Sequence, residues 1–349
     1  MQWPNNFTAL MIIFLLALLI IAYSNLENLS DNINANNIKE RNEMLNSIFM
    51  QKYLIPNNSN IFFIETSCIF SEYNPEGIHL SSRQQCAIYS TAKMNPSRPV
   101  ILYHSCPLHS NFYERSSEGS KQLLKLPNFF ILNIKYDDIL RGSIVENIID
   151  DIKTSQYPVE HGADVLRLAL LHRFGGAYMD LDFISIKPLD SLPKNVLSPE
   201  SSYELSNGFL QFDHEGKGKE FLKVMLTDLS QHFQRNTWSG NGPEVVKYNF
   251  LKFCNITEGT KFTEVTSNPC EISICNISTF YPIFYPNWKY FFKPEHTDFV
   301  MKRLNNTIAV HFWNFLSKSE KIKIGENSTY EILARQYCPD ILKSAGDLF

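Results

Sequence analysis

His161–Asp182 reads HGADVLRLALLHRFGGAYMDLD, and the order of its parts decides the fold. His161–Arg173 has the apolar spacing of a helix of about three turns. Gly175-Gly176 follows where a helix C-terminus needs positive φ. Ala177–Asp182 then predicts a strand, with Tyr178, Asp180 and Asp182 on one face and Ala177, Met179 and Leu181 on the other. Two carboxylates side by side repel unless a cation neutralises them. An Asp-x-Asp triplet arises by chance in a chain of this length, so its weight comes from the glycine approach and the strand edge around it.

Upstream, Ile61–Glu65 (IFFIE), Val100–Tyr103 (VILY) and Phe129–Ile134 (FFILNI) are short apolar runs of strand type. Arg83–Met94 and Asp137–Asp151 have helical spacing. The alternation predicts βα units around a mostly parallel sheet, an α/β body with a mixed central sheet. Ligands of such sheets bind at the carboxyl ends of the strands, where Asp180 and Asp182 stand. Downstream, Ile308–Val310 is strand-like and leads into His311-Phe-Trp313.

The chain has 349 residues, 44% of them hydrophobic and 19% charged, so it can bury a large core and is not a disordered protein. A net charge of −4 excludes a general nucleic-acid binder, which needs a basic surface to displace counterions. Any bound anion must be held by a local site.

Phe7–Tyr23 (FTALMIIFLLALLIIAY) lacks any charged side chain and is just long enough to span a bilayer. A cleaved signal peptide, cut near Ala22-Tyr23-Ser24, is the alternative. All seven cysteines and six Asn-x-Ser/Thr sequons (Asn28, Asn57, Asn255, Asn276, Asn305, Asn327) follow this run, which fits an oxidising lumen. The expected organisation is a cytosolic tail (1–6), a transmembrane signal anchor (7–23), a stem (24–60) and a lumenal catalytic body (61–349), single-pass and type II. An odd cysteine count leaves one thiol free or paired between chains, which admits a dimer.

Asp164-Val-Leu-Arg167 through Gly175-Gly176-Ala-Tyr178-Met-Asp180-Leu-Asp182 resembles the sugar-donor motif of retaining glycosyltransferases with a DxD sequence. More narrowly, it is similar to the α1,4-galactosyltransferase and α1,4-N-acetylglucosaminyltransferase group. Ile61–Cys68 and Arg83–Pro96 resemble the group's opening strand and helix. Asn207-Gly-Phe-Leu, Trp238-Ser-Gly-Asn-Gly-Pro243, Phe280-Tyr-Pro-Ile283 and His311-Phe-Trp313-Asn314 follow in the group's order, so the likeness spans roughly residues 61 to 315. The resemblance implies a GT-A-type nucleotide-diphospho-sugar transferase domain in the Golgi membrane. It also implies a UDP-sugar donor, with UDP-galactose favoured over the N-acetylhexosamine donors. The acceptor would be a terminal galactoside, on a glycolipid such as lactosylceramide or on a glycoprotein.

Expelling a nucleoside diphosphate builds negative charge on the leaving oxygen, and a divalent cation stabilises it. Oxygen ligands with one imidazole suit Mn²⁺. By resemblance, Asp182 binds the metal, Asp180 serves the donor and the metal's water shell, and His311 is a third ligand or a phosphate donor. Asp164, Arg167, Tyr178 and Thr66 would hold the donor, and Trp238, Gly242 and Pro243 the acceptor. Asn207 is the candidate to face the anomeric carbon. An amide is a poor nucleophile, so same-face attack with the departing diphosphate as base is preferred to a double displacement.

Two other classes fit parts of the pattern. A haloacid-dehalogenase-type phosphatase also carries Asp-x-Asp after a strand, but with Thr or Val where Ile184 stands here. An anchored glycoprotein without activity would not need Asp164, Arg167, Asp180 and Asp182 together.

Overall fold

A computed structural model describes residues 56–68, 77–106, 116–265, 270–346 and 349. The expected tail, the anchor Phe7–Tyr23 and nearly all of the stem lie outside them. Among the described residues no helix is long and apolar enough to cross a membrane.

Nine strands occur among the described residues: β1 (Ile61–Glu65), β2 (Val100–His104), β3 (Phe129–Asn133), β4 (Gly176–Met179), β5 (Phe183–Ser185), β6 (Val196–Pro199), β7 (Leu205–Phe212), β8 (Ser273–Ile274) and β9 (Ala309–His311). Seven form one sheet in the order β3-β2-β1-β4-β7-β6-β8, and β5 pairs with β9 separately. β3, β2, β1 and β4 run parallel, while β7 is antiparallel to both β4 and β6. The sheet is therefore mixed, as expected.

Strands β1 and β2 are buried along their whole length, which is why they read as unbroken apolar runs. Alternate residues feed two cores. Ile61, Phe63 and Leu102 join one layer with Phe209 and Phe280, and Phe62, Ile64 and Ile101 join the other with Leu170 and Phe221. Helix α1 (Ser82–Met94), started by a capping box between Ser81 and Gln84, supplies Ile88 and Ala92 to the first layer. Helices α2 (Pro158–Phe174), α3 (Gly216–His232) and α4 (Pro243–Phe253) supply the second.

Three disulfides, Cys68–Cys106, Cys86–Cys338 and Cys254–Cys270, tie distant segments together and suit an oxidising compartment. Cys275 is the remaining thiol, half-buried, with its ionisation pushed up to about 12 by burial.

Two expectations need correction. The strand expected over Ala177–Asp182 ends at Met179, because Leu181 and Asp182 turn the chain into β5, which pairs with β9 and not with the main sheet. Tyr178, Asp180 and Asp182 are thus not three residues of one strand face. The helix expected over Asp137–Asp151 is broken into Tyr136–Leu140, a 3₁₀ turn at Glu146–Ile148, and Ile149–Lys153. Gly142, at φ +72°, takes a left-handed conformation that an α-helix cannot contain.

Candidate active site

Helix α2 and strand β4 meet at Gly175 (φ +69°) and Gly176 (φ +97°). A Cβ on Gly176 would lie 2.4 Å from the Asn60 carbonyl, so the glycine lets β4 enter beside β1. At the far end of β4 the Asp180 N–H donates to the Gly208 carbonyl on β7 at 2.8 Å. A Cβ on Gly208 would sit 2.8 Å from Asp180 Oδ2 and 2.9 Å from the Tyr281 hydroxyl. That glycine makes room for the carboxylate.

After the turn, Phe183 on β5 pairs with His311 on β9. The imidazole Nε2 comes within 3.1 Å of Asp182 Oδ1. One ligand atom each from Asp180, Asp182 and His311 lie within 4.8 Å of one another. Burial opposes charge on all three. At Asp182 it is outweighed by the neighbouring imidazole and the Asn314 amide, so its carboxyl is held below the usual range. At His311 it is likewise outweighed, by the Asp182 and Asp180 carboxylates, and the imidazole is raised. Asp180 goes the other way, because burial and the Asp182 charge together exceed the pull of Arg167.

Arg167 is the second centre of the site. Its guanidinium lies 3.2 Å from Asp164 Oδ1 and 3.3 Å from Asp180 Oδ1, and donates to the Asn207 carbonyl at 2.8 Å. It stacks over the Tyr178 ring at 4.5 Å, and the Tyr178 hydroxyl donates to Asp180 Oδ1. Asn207 in turn donates from Nδ2 to Asp164 Oδ1 at 2.7 Å. Asp164, Arg167, Tyr178, Asp180 and Asn207 therefore form one connected network. A Cβ on Gly242 would fall 2.3 Å from Asn207 Nδ2 and 2.9 Å from either Asp164 carboxylate oxygen, so the Gly242-Pro243 start of α4 closes against it.

Trp238 is 42% exposed and its ring lies 4.9 Å from that of Phe315, itself exposed. Phe315 follows Asn314, whose N–H donates to Asp182 Oδ2 at 2.7 Å, so the aromatic pair stands beside the acidic cluster. Thr66, just past β1, is buried and its hydroxyl donates to the Val159 carbonyl in the first turn of α2. Gly208, Tyr281, Asn314 and Phe315 were missed by sequence reasoning. Gly208, Tyr281 and Asn314 lie inside quoted motifs, but Asn314 acts through its backbone, which carries no side-chain signal.

Two carboxylates and an imidazole fit a divalent cation. Asp182 Oδ1 is buried with no well-aligned hydrogen bond, its near neighbour being His311 Nε2, and His311 Nδ1 is buried without a partner. Polar atoms left in that state call for a ligand.

A cation-compatible acid cluster at the carboxyl end of a strand in a mixed α/β sheet defines a class of site, and comparison with known proteins narrows it. Residues 81–198 match the family described as glycosyltransferase sugar-binding region containing DXD motif, and residues 214–345 match the alpha 1,4-glycosyltransferase conserved region. Lactosylceramide 4-alpha-galactosyltransferase of Rattus norvegicus is 30% identical over 80% of this chain and 74% of its own. Alpha-1,4-N-acetylglucosaminyltransferase of Homo sapiens is 28% identical over 82% of this chain and 80% of its own. The solved galactosyltransferase LgtC with donor and acceptor sugar analogues covers 83% of this chain and 96% of its own, at 12% identity and a TM-score of 0.41. The α/β architecture rests on the strand order above. The chain belongs to the α1,4-glycosyltransferase family and is a hexosyltransferase.

Proposed function

We propose that the chain transfers a hexose, galactose first, from a UDP-sugar to a terminal galactoside in α1,4 linkage with retention of configuration. The observation that carries the reading is the convergence of Asp180, Asp182 and His311 at the end of β4, in a chain of this family. Asp182 and His311, with Asp180, would hold a divalent cation, which supplies charge stabilisation to the departing diphosphate.

Asp182 is oriented by the Asn314 amide, which leaves Oδ1 for the cation side. Arg167 is buried among Asp164, Asp180 and the Asn207 carbonyl, so its work is to fix those groups for the donor sugar. Asn207, tied through Nδ2 to Asp164, would face the anomeric carbon. Gly242 brings backbone against the same network on the acceptor side. Trp238 and Phe315 offer exposed ring faces for the apolar side of the acceptor sugar. With an amide as the candidate facing group, attack from the leaving-group side, with the diphosphate as base, is the preferred route to retention.

The acceptor is proposed to be glycolipid-linked, as lactosylceramide is, and the body to sit in the Golgi lumen behind the Phe7–Tyr23 anchor. The apolar run and the three disulfides support that placement. An α1,4-N-acetylhexosaminyl transfer is the second reading, favoured by the likeness to the N-acetylglucosaminyltransferase.

A panel of UDP-sugars with Mn²⁺ and galactoside acceptors, followed by NMR of the product, tests the proposal. An α1,4-galactosyl product is expected. A β anomeric signal would overturn retention, and exclusive use of an N-acetylhexosamine donor would replace the galactose assignment.

A further inference from the structure

Trp313 has φ +55° and ψ +49°, the left-handed conformation. For a bulky residue that conformation is strained, and strain of this kind persists only where the surroundings over-determine it. The residues on either side show what it achieves. The Phe312 N–H donates to the Asp182 carbonyl at 3.0 Å, and the Asn314 N–H donates to the Asp182 carboxylate at Oδ2, at 2.7 Å. One residue is thus held at both its backbone and its side chain by the two neighbours of Trp313.

The indole holds the conformation in place. Its Nε1–H donates to the Ile283 carbonyl at 3.0 Å. Its ring packs edge-on against His311 at 4.5 Å and lies tilted against Tyr281 at 5.3 Å. His311 is itself the group next to Asp182 Oδ1, so the same side chain braces both partners of the acidic residue.

We propose that Trp313 is a positioning residue: its left-handed backbone aims the Asn314 amide at Asp182 Oδ2, and so turns Oδ1 and the His311 imidazole toward the cation. The inference rests on the cation reading above for its consequence, and on the backbone geometry alone for its cause. In this reading Trp313 acts through Asn314 and His311.

The test reads the two parts separately on the full chain. Hydrogen exchange at the Asn314 amide is followed in the parent, Trp313→Gly, Trp313→Phe and Asp182→Ala, and Mn²⁺ binding is followed in the same proteins. Glycine accepts positive φ without strain, so Trp313→Gly removes the brace without forbidding the conformation. Exchange at Asn314 should rise about tenfold or more in Trp313→Gly and in Asp182→Ala, the loss of one hydrogen bond to a charged group. Trp313→Phe, which keeps the ring packing, should show a smaller rise. Mn²⁺ affinity in Trp313→Gly should fall about 10- to 100-fold, as for other groups that orient a metal ligand. Unchanged Asn314 exchange in Trp313→Gly, whatever its thermal stability, would overturn the proposal. A rise in exchange with no Mn²⁺ bound even by the parent would uphold the positioning role and overturn the cation reading.

Discussion

Arg167 Nη1 lies 3.3 Å from Asp180 Oδ1, which joins the middle of helix α2 to the first aspartate after strand β4. Asp164, one turn earlier on the helix, shares the same guanidinium. Truncation to Arg167→Ala would strand the buried Asp164 carboxylate and the half-buried Asp180 beside it, and breaking a buried pair in this way costs about 3–5 kcal/mol. A large fall in Tm is expected. Arg167→Lys keeps the charge but loses the planar fork that reaches Asp164, Asp180 and the Asn207 carbonyl together. It should retain most of the stability and lose transfer activity, measured as kcat/KM for the donor.

Gly242 is predicted to tolerate no side chain. The obstacle is contact: a methyl would press on Asn207 and Asp164. Gly242→Ala should cost about 1–3 kcal/mol as overpacking and lower kcat more than it lowers stability. Thermal melts alongside initial rates check this.

Trp238→Ala should weaken acceptor use while leaving donor hydrolysis near the parent rate, because the ring pairs with Phe315 and stays half exposed. Phe315→Ala should behave alike. Separate saturation curves for donor and acceptor provide the readout.

His104, at the end of β2, is fully buried and burial lowers its ionisation to about 4. The unfolded chain takes up a proton at the ordinary value near 6.5, and the native state does not until about pH 4. Stability is therefore complete above about pH 6.5 and declines as pH falls toward 4, by roughly 3 kcal/mol in total from this group. Denaturant unfolding at a series of pH values should show the loss, and His104→Asn should flatten it over that window.

What could be read from the sequence was what local patterning determines. The helix before Gly175-Gly176 and the buried strands follow from periodicity over a few residues, and each appears in the structure. The length of β4 could not be read this way. Its end at Met179 is set by β9, more than a hundred residues later, drawing Phe183–Ser185 out of the main sheet. His311 has no spacing relation to Asp182 and was found only through resemblance. The clasp on Asp182 was invisible because backbone amides donate whatever side chain they carry, and nothing in the letters of Trp313 announces positive φ. Gly142 did carry a signal, a glycine inside a helical pattern, that the periodicity outweighed.

Asp182, with Asp180 and His311, is proposed to hold the cation that serves sugar transfer. Mn²⁺ titration of the body by electron paramagnetic resonance, with and without UDP, tests it most directly in the parent, Asp180→Asn and Asp182→Asn. The parent should bind one Mn²⁺ equivalent, more tightly with UDP present. Asp182→Asn should lose that binding and, as when one charge-stabilising group is removed, about a hundredfold or more of the transfer rate, while remaining folded. Equal Mn²⁺ binding by the parent and Asp182→Asn would contradict the account.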